Sequence, residues 1–132
     1  MKTLKAEIFA VGKWNGIPVT AQMLQEFANN FNRLGDILEV PLKMGHNEEQ
    51  PIKAEDGNMS LGWVSKVWVE GEKLFAQFTD MPEIVYNAIE KKLYKNVSIE
   101  AKFGVEHKGT KYGTVLTAVA LLGVDLPAVN TL

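Results

Sequence analysis

Residues 96–106 alternate strictly between apolar and polar positions. Val97, Ile99, Ala101, Phe103 and Val105 fall on one face, and Ser98, Glu100, Lys102 and Gly104 on the other, which predicts a strand with one buried side. Residues 107–113 read as a turn, and the apolar run 114–122 as a buried strand returning antiparallel. Residues 61–70 and 73–79 predict a hairpin around Glu70-Gly71-Glu72. In its first arm Trp63, Val67 and Val69 share one face, and Val64 and Trp68 the other; in its second, Leu74, Ala76 and Phe78 share a face. Residues 4–11 predict a first strand, followed by a turn-rich connection from Gly12 to Pro18 with Asn15-Gly16 as its turn signal.

Two segments switch to helical spacing. Met23, Leu24, Phe27, Phe31 and Leu34 form a stripe that predicts a helix over 21–34, with Thr20 as N-cap and Gly35 at its end. Ile84, Val85, Ala88, Ile89 and Leu93 predict a second helix over 82–93, for which Asp80 is the expected cap and Glu83 its capping-box partner. Between them, residues 38–44 form a short apolar segment that Pro41 demotes to an edge or irregular strand. The polar stretch 47–60 reads as a surface loop. Six or seven strands, mostly antiparallel, with two helices define an α+β chain. A small closed or strongly curved β-barrel with packed helices fits this pattern. At 132 residues, a single domain over 1–132 is expected.

Composition narrows the function classes. A net charge of −2 excludes a general nucleic-acid binder, which needs a basic excess. With no Cys there is neither a thiolate nucleophile nor a Cys-based zinc site. The longest nearly apolar run, 115–124, is about half of what spans a bilayer. The N-terminal segment meets charge too early for a signal peptide, so cytoplasmic synthesis is expected. Two histidines 61 residues apart with scattered carboxylates match no metal-ligand spacing. No glycine-rich phosphate loop is present. Neither a cofactor nor a metal is expected.

Nucleophilic chemistry has few sources. Only Ser60, Ser65 and Ser98 can serve as serine nucleophiles, and only His46 and His107 as imidazole bases, leaving six pairings. Ser98 stands mid-strand beside Glu100. Its ordinary role would be a polar position on a solvated face, and its catalytic role would need an imidazole within hydrogen-bond reach. His46 follows a glycine and precedes the polar loop; it is either a surface histidine or a base oriented by Glu48, Glu49, Glu100 or Asp125. Glu100 is alternatively a surface carboxylate paired with Lys102 or Lys43, worth under about 1 kcal/mol. His107, among lysines, reads as exposed. Trp14, Trp63 and Trp68 are either a substrate platform or ordinary packing.

The order of segments resembles the prohead protease (capsid scaffolding protease) family of tailed bacteriophages, including the phage Mu type. The matching pieces are Pro41-Leu-Lys-Met-Gly-His46, Leu61-Gly-Trp-Val64, Leu74-Phe-Ala76, Val97-Ser-Ile-Glu-Ala101, and Ala118-Val-Ala-Leu-Leu-Gly123 with Leu126-Pro-Ala-Val129. The resemblance implies a herpesvirus assemblin-like barrel and a serine peptidase that cleaves scaffold and major coat proteins, and itself, inside the assembling prohead in the host cytoplasm. It implies His46 as base and Ser98 as nucleophile, with Glu100 or, as second choice, Asp125 as third member. Many relatives carry a helical scaffolding segment after the protease; with the chain stopping at Leu132, that segment is expected to be absent. A homodimer is possible in such enzymes. Two other readings are a catalytically inactive protease-like domain serving as a structural or scaffold component of the phage head, and an unrelated small peptide-binding barrel.

Overall fold

A computed structural model describes residues 2–14, 16–35, 37–45, 60–91 and 96–122. Within them the chain runs β1 (Lys2–Ala10), β2 (Gly12–Trp14), β3 (Ile17–Val19), α1 (Ala21–Arg33), β4 (Pro41–Met44), β5 (Gly62–Glu70), β6 (Lys73–Met81), α2 (Glu83–Glu90), β7 (Asn96–His107) and β8 (Thr110–Leu122). The expected α+β class holds. Six strands form one sheet in the order β1-β6-β5-β4-β8-β7, and β2 and β3 form a separate hairpin. Four of the five pairings in the large sheet are antiparallel, while β4 runs parallel to β8. No closed barrel forms among the described residues. The two edge strands, β1 and β7, approach each other without hydrogen-bonded pairing.

β4 is not an edge strand. It lies between β5 and β8, because Pro41 occupies its first position, where a missing N–H costs least. The connection from Gly12 to Pro18 is itself a short hairpin, with Gly12↔Val19 and Trp14↔Ile17 in register. The expected turn at 107–113 is tighter than its composition suggests. His107 pairs with Thr110, and Lys108-Gly109 make a two-residue turn with φ of 49° and 80°, the hand that matches strand twist.

A register shift in β5 reassigns its faces. An extra residue between Val64 and Lys66 puts Val64, Val67 and Val69 on one side, opposite Phe78, Ala76 and Leu74 of β6. Trp68 instead stacks on Phe75 at 5.8 Å on the other side. Simple alternation had grouped Val64 with Trp68, and it fails because the bulge inverts the phase. Asp80 is also not a helix cap. It belongs to β6 with φ 55°, β6 runs on to pair Met81 with Lys2, and Pro82 stands at the N-cap without a side-chain acceptor.

α1 follows its predicted stripe. The Thr20 hydroxyl accepts from the Met23 N–H at 3.2 Å, and Leu24, Phe27 and Ala28 enter the core with Ile8, Leu42, Phe78, Leu116 and Val119. Polar locks hold the helix to β8. Buried Asn30 donates through Nδ2 to the Tyr112 and Thr114 carbonyls, and the Glu26 carboxylate accepts from the Thr114 N–H. Gly113, between those two carbonyl residues, has φ 79°, and a Cβ there would collide with the Glu26 carboxylate.

Asn30→Ala should lower stability by about 1–3 kcal/mol, because it removes the donor shared by two carbonyls beneath the helix. Gly113→Ala should cost at least about 1 kcal/mol for its left-handed backbone. Part of the Gly113→Ala loss should vanish in a Glu26→Ala background, where the collision is gone. Urea titrations of the single and double variants measure each value.

Candidate active site

Three strands bring the chemistry together. Ser98 on β7 lies opposite Ala120 on β8, and Ala120 lies beside Lys43 on β4. Glu100 lies opposite Ala118. Residues in lateral register share a face, so Lys43, Ser98 and Glu100 stand on the side of the sheet opposite Val97, Val119 and Leu121. The expected alternation of β7 holds here, with Val97 fully buried and Ser98 half-buried.

Small residues on β8 allow a long reach. Ala118 and Ala120 raise only methyl groups between β4 and β7, so the Lys43 side chain crosses β8 and its Nζ meets Glu100 Oε2 at 2.8 Å. The two ladders set Lys43 and Ser98 about 9–10 Å apart at Cα, two strand spacings. Glu100 is a further two residues along, about 7 Å from Ser98. The pairing of Glu100 with Lys43, one of two partners the sequence suggested, is therefore real. It is deeper than a surface pair: the Lys43 side chain is 10% exposed and that of Glu100 28%.

The other candidates separate clearly. Ser60 Oγ donates to the Gly62 carbonyl at 2.6 Å and accepts from its N–H, a local turn. Ser65 Oγ donates to the Gln77 carbonyl and accepts from Gln77 Nε2, a cross-strand link between β5 and β6. His107 ends β7, nine residues beyond Ser98, roughly 25–30 Å away along an extended strand. It is half-buried rather than exposed, and it cannot serve Ser98. His46, Asp125 and the loop 47–59 lie outside the described residues. The last described residue before His46 is Gly45, whose N–H donates to the Leu121 carbonyl at 2.8 Å. Gly45 directly follows Met44, which is in register with Leu121 and, through it, with Val97.

An apolar groove of about 240 Å³ adjoins the serine. Ser98, Ile99, Ala101 and Phe103 of β7 form one wall, with Trp14 and Ile17 of the β2–β3 hairpin facing them. The sequence offered little sign of it. Trp14 and Ile17 sit in what reads as a turn, and their apolar character was the one available signal. The three tryptophans do not form a platform: Trp14 lines this groove, Trp68 stacks on Phe75, and Trp63 lines a separate cleft of about 650 Å³ with Glu39 and Asp80. That larger cleft contains neither Ser98 nor Glu100. Among the described residues no cluster could hold a metal ion, and no helix is long and apolar enough to cross a membrane.

Comparison of the chain with protein-family models, with curated proteins and with solved structures gave no match.

The depth of the ion pair sets an order of cost. Glu100→Gln withdraws the countercharge from a nearly buried ammonium, whereas Lys43→Met leaves a carboxylate with better access to water. Glu100→Gln should therefore destabilise more than Lys43→Met, by an amount between the ~1 kcal/mol of exposed pairs and the ~3–5 kcal/mol of buried ones. Guanidinium unfolding of the two variants tests the order.

Proposed function

We propose that the chain is a serine endopeptidase of phage-head maturation, cleaving scaffold and major coat proteins and itself in the assembling prohead. The observation that carries this reading is the three-strand alignment. Ser98 sits half-buried on an edge strand, and the strand leading into His46 through Gly45 lies two positions away in the same sheet. In this reading the curved sheet with its nearly meeting edges is an open relative of the assemblin barrel.

His46 takes the Ser98 proton as the serine oxygen attacks the peptide carbonyl, then gives it to the leaving amine. An acidic group holds the imidazole and stabilises its charged form. Glu100 would share its carboxylate between the imidazole and Lys43, which weakens what it offers the imidazolium. Asp125 is the alternative third member. The same ion pair favours a second reading, in which Glu100 and Lys43 are structural and the domain is an inactive component of the phage head.

Co-expression with the neighbouring scaffold and coat proteins separates the two. Wild type should trim them, while Ser98→Ala and His46→Ala should each lose about 10³-fold or more in rate. A fluorophosphonate should label wild type and not Ser98→Ala. Equal trimming by Ser98→Ala would remove the serine from the mechanism, and absent trimming with absent labelling would leave the structural role. Glu100→Gln and Asp125→Asn should differ sharply in rate, and the slower variant identifies the third member.

A further inference from the structure

The large sheet leaves a seam between its two edge strands that the described residues do not fill. The β2–β3 hairpin leaves the end of β1 and faces β7 across the apolar groove. Ile17 on the hairpin is 49% exposed and Phe103 on β7 is 61% exposed, so two large apolar side chains rim an opening instead of sealing it. β7 is irregular at this point. Register shifts fall between Glu100 and Ala101 and between Lys102 and Val105, and Gly104 has φ 65°. Such bulges re-aim side chains locally, and here they accompany Phe103 turned outward from the ladder.

Three properties define what fits. Among the described residues no charged side chain lines the groove, so a charged group entering it would lose hydration without a partner there. Its volume of about 240 Å³ lies below the roughly 300–1,000 Å³ of sites that take drug-sized ligands, and suits one large side chain. Ala101 contributes only a methyl group to the β7 wall. Ser98 belongs to the same wall, so a chain crossing the edge of β7 would present its backbone near the serine and a side chain to the groove.

We propose that this groove binds a Leu, Met or Phe side chain of an extended peptide lying across β7, next to the bond at Ser98. The assignment of a bond at Ser98 rests on the peptidase reading above. The groove itself is a specificity site for large apolar residues.

Binding is measured on the full-length Ser98→Ala chain, where peptide persists. Blocked pentapeptides that differ only in a central Leu, Phe, Asp or Lys are titrated while backbone amide resonances are followed. Leu and Phe peptides should shift Trp14, Ile99, Ala101 and Phe103, with affinity at least tenfold above that of the Asp and Lys peptides. Ala101→Phe, which fills the groove, should reduce that affinity at least tenfold. Phe103→Ser, at an exposed rim position, should weaken it several-fold. Shifts elsewhere, equal affinity for all four peptides, or concentration-dependent shifts of the same residues without peptide would overturn the proposal; the last would assign the groove to a second copy of the chain. If the groove residues shift as expected while wild type leaves the Leu and Phe peptides uncut, the binding site stands and the peptidase reading falls.

Discussion

β8 pairs with β4 in parallel and with β7 in antiparallel register, and both ladders use the same short run, Val119–Leu121. That run is buried on both faces. Val119 and Leu121 face the core shared with α1, and Ala118 and Ala120 face the opposite side. A slip of one residue in either ladder would exchange the two sets. It would put alanines where the core needs volume, and it would turn Lys43 or Ser98 inward. Register here is therefore fixed by the difference in size between two pairs of residues, and the position of every polar group on the outer face follows from it.

The methyl groups of Ala118 and Ala120 have a second consequence. They leave a shallow track across β8, and the Lys43 side chain lies along it to meet Glu100. A larger residue at either position would block that path. The charge partner of Glu100 is thus supplied from two strands away, and a carboxylate that looked like a local strand-surface group becomes tied to β4. Ser98 shares its face of the sheet with this ion pair.

Much of this was legible from residue order. The helical stripe of α1, its Thr20 cap and the return of β8 follow from local periodicity and are found, while the alternation in β7 holds from Val97 to Glu100 and is broken by bulges beyond it, where Phe103 is exposed. The misreadings share one cause. The bulge in β5, the left-handed Asp80 and the central placement of β4 depend on pairing between strands distant in sequence, and no local pattern reports them. For the site, residue order singled out Ser98 and Glu100 and offered Lys43 as one of two partners for the carboxylate. It did not reveal the groove, because Trp14 and Ile17 meet Ala101 and Phe103 only after the sheet curls.

That curl links the two halves of the candidate site. An edge strand exposes unpaired backbone groups and is a hazard unless it is covered or used. β1 spends one edge on a full ladder with β6, and its continuation into the β2–β3 hairpin shelters β7 with Trp14 and Ile17 instead of pairing with it. Closing the sheet by a β1–β7 ladder would erase the groove. Leaving β7 wholly bare would invite non-specific pairing. A hairpin that faces the seam with side chains alone does neither, and it leaves along β7 an apolar groove whose wall includes Ser98.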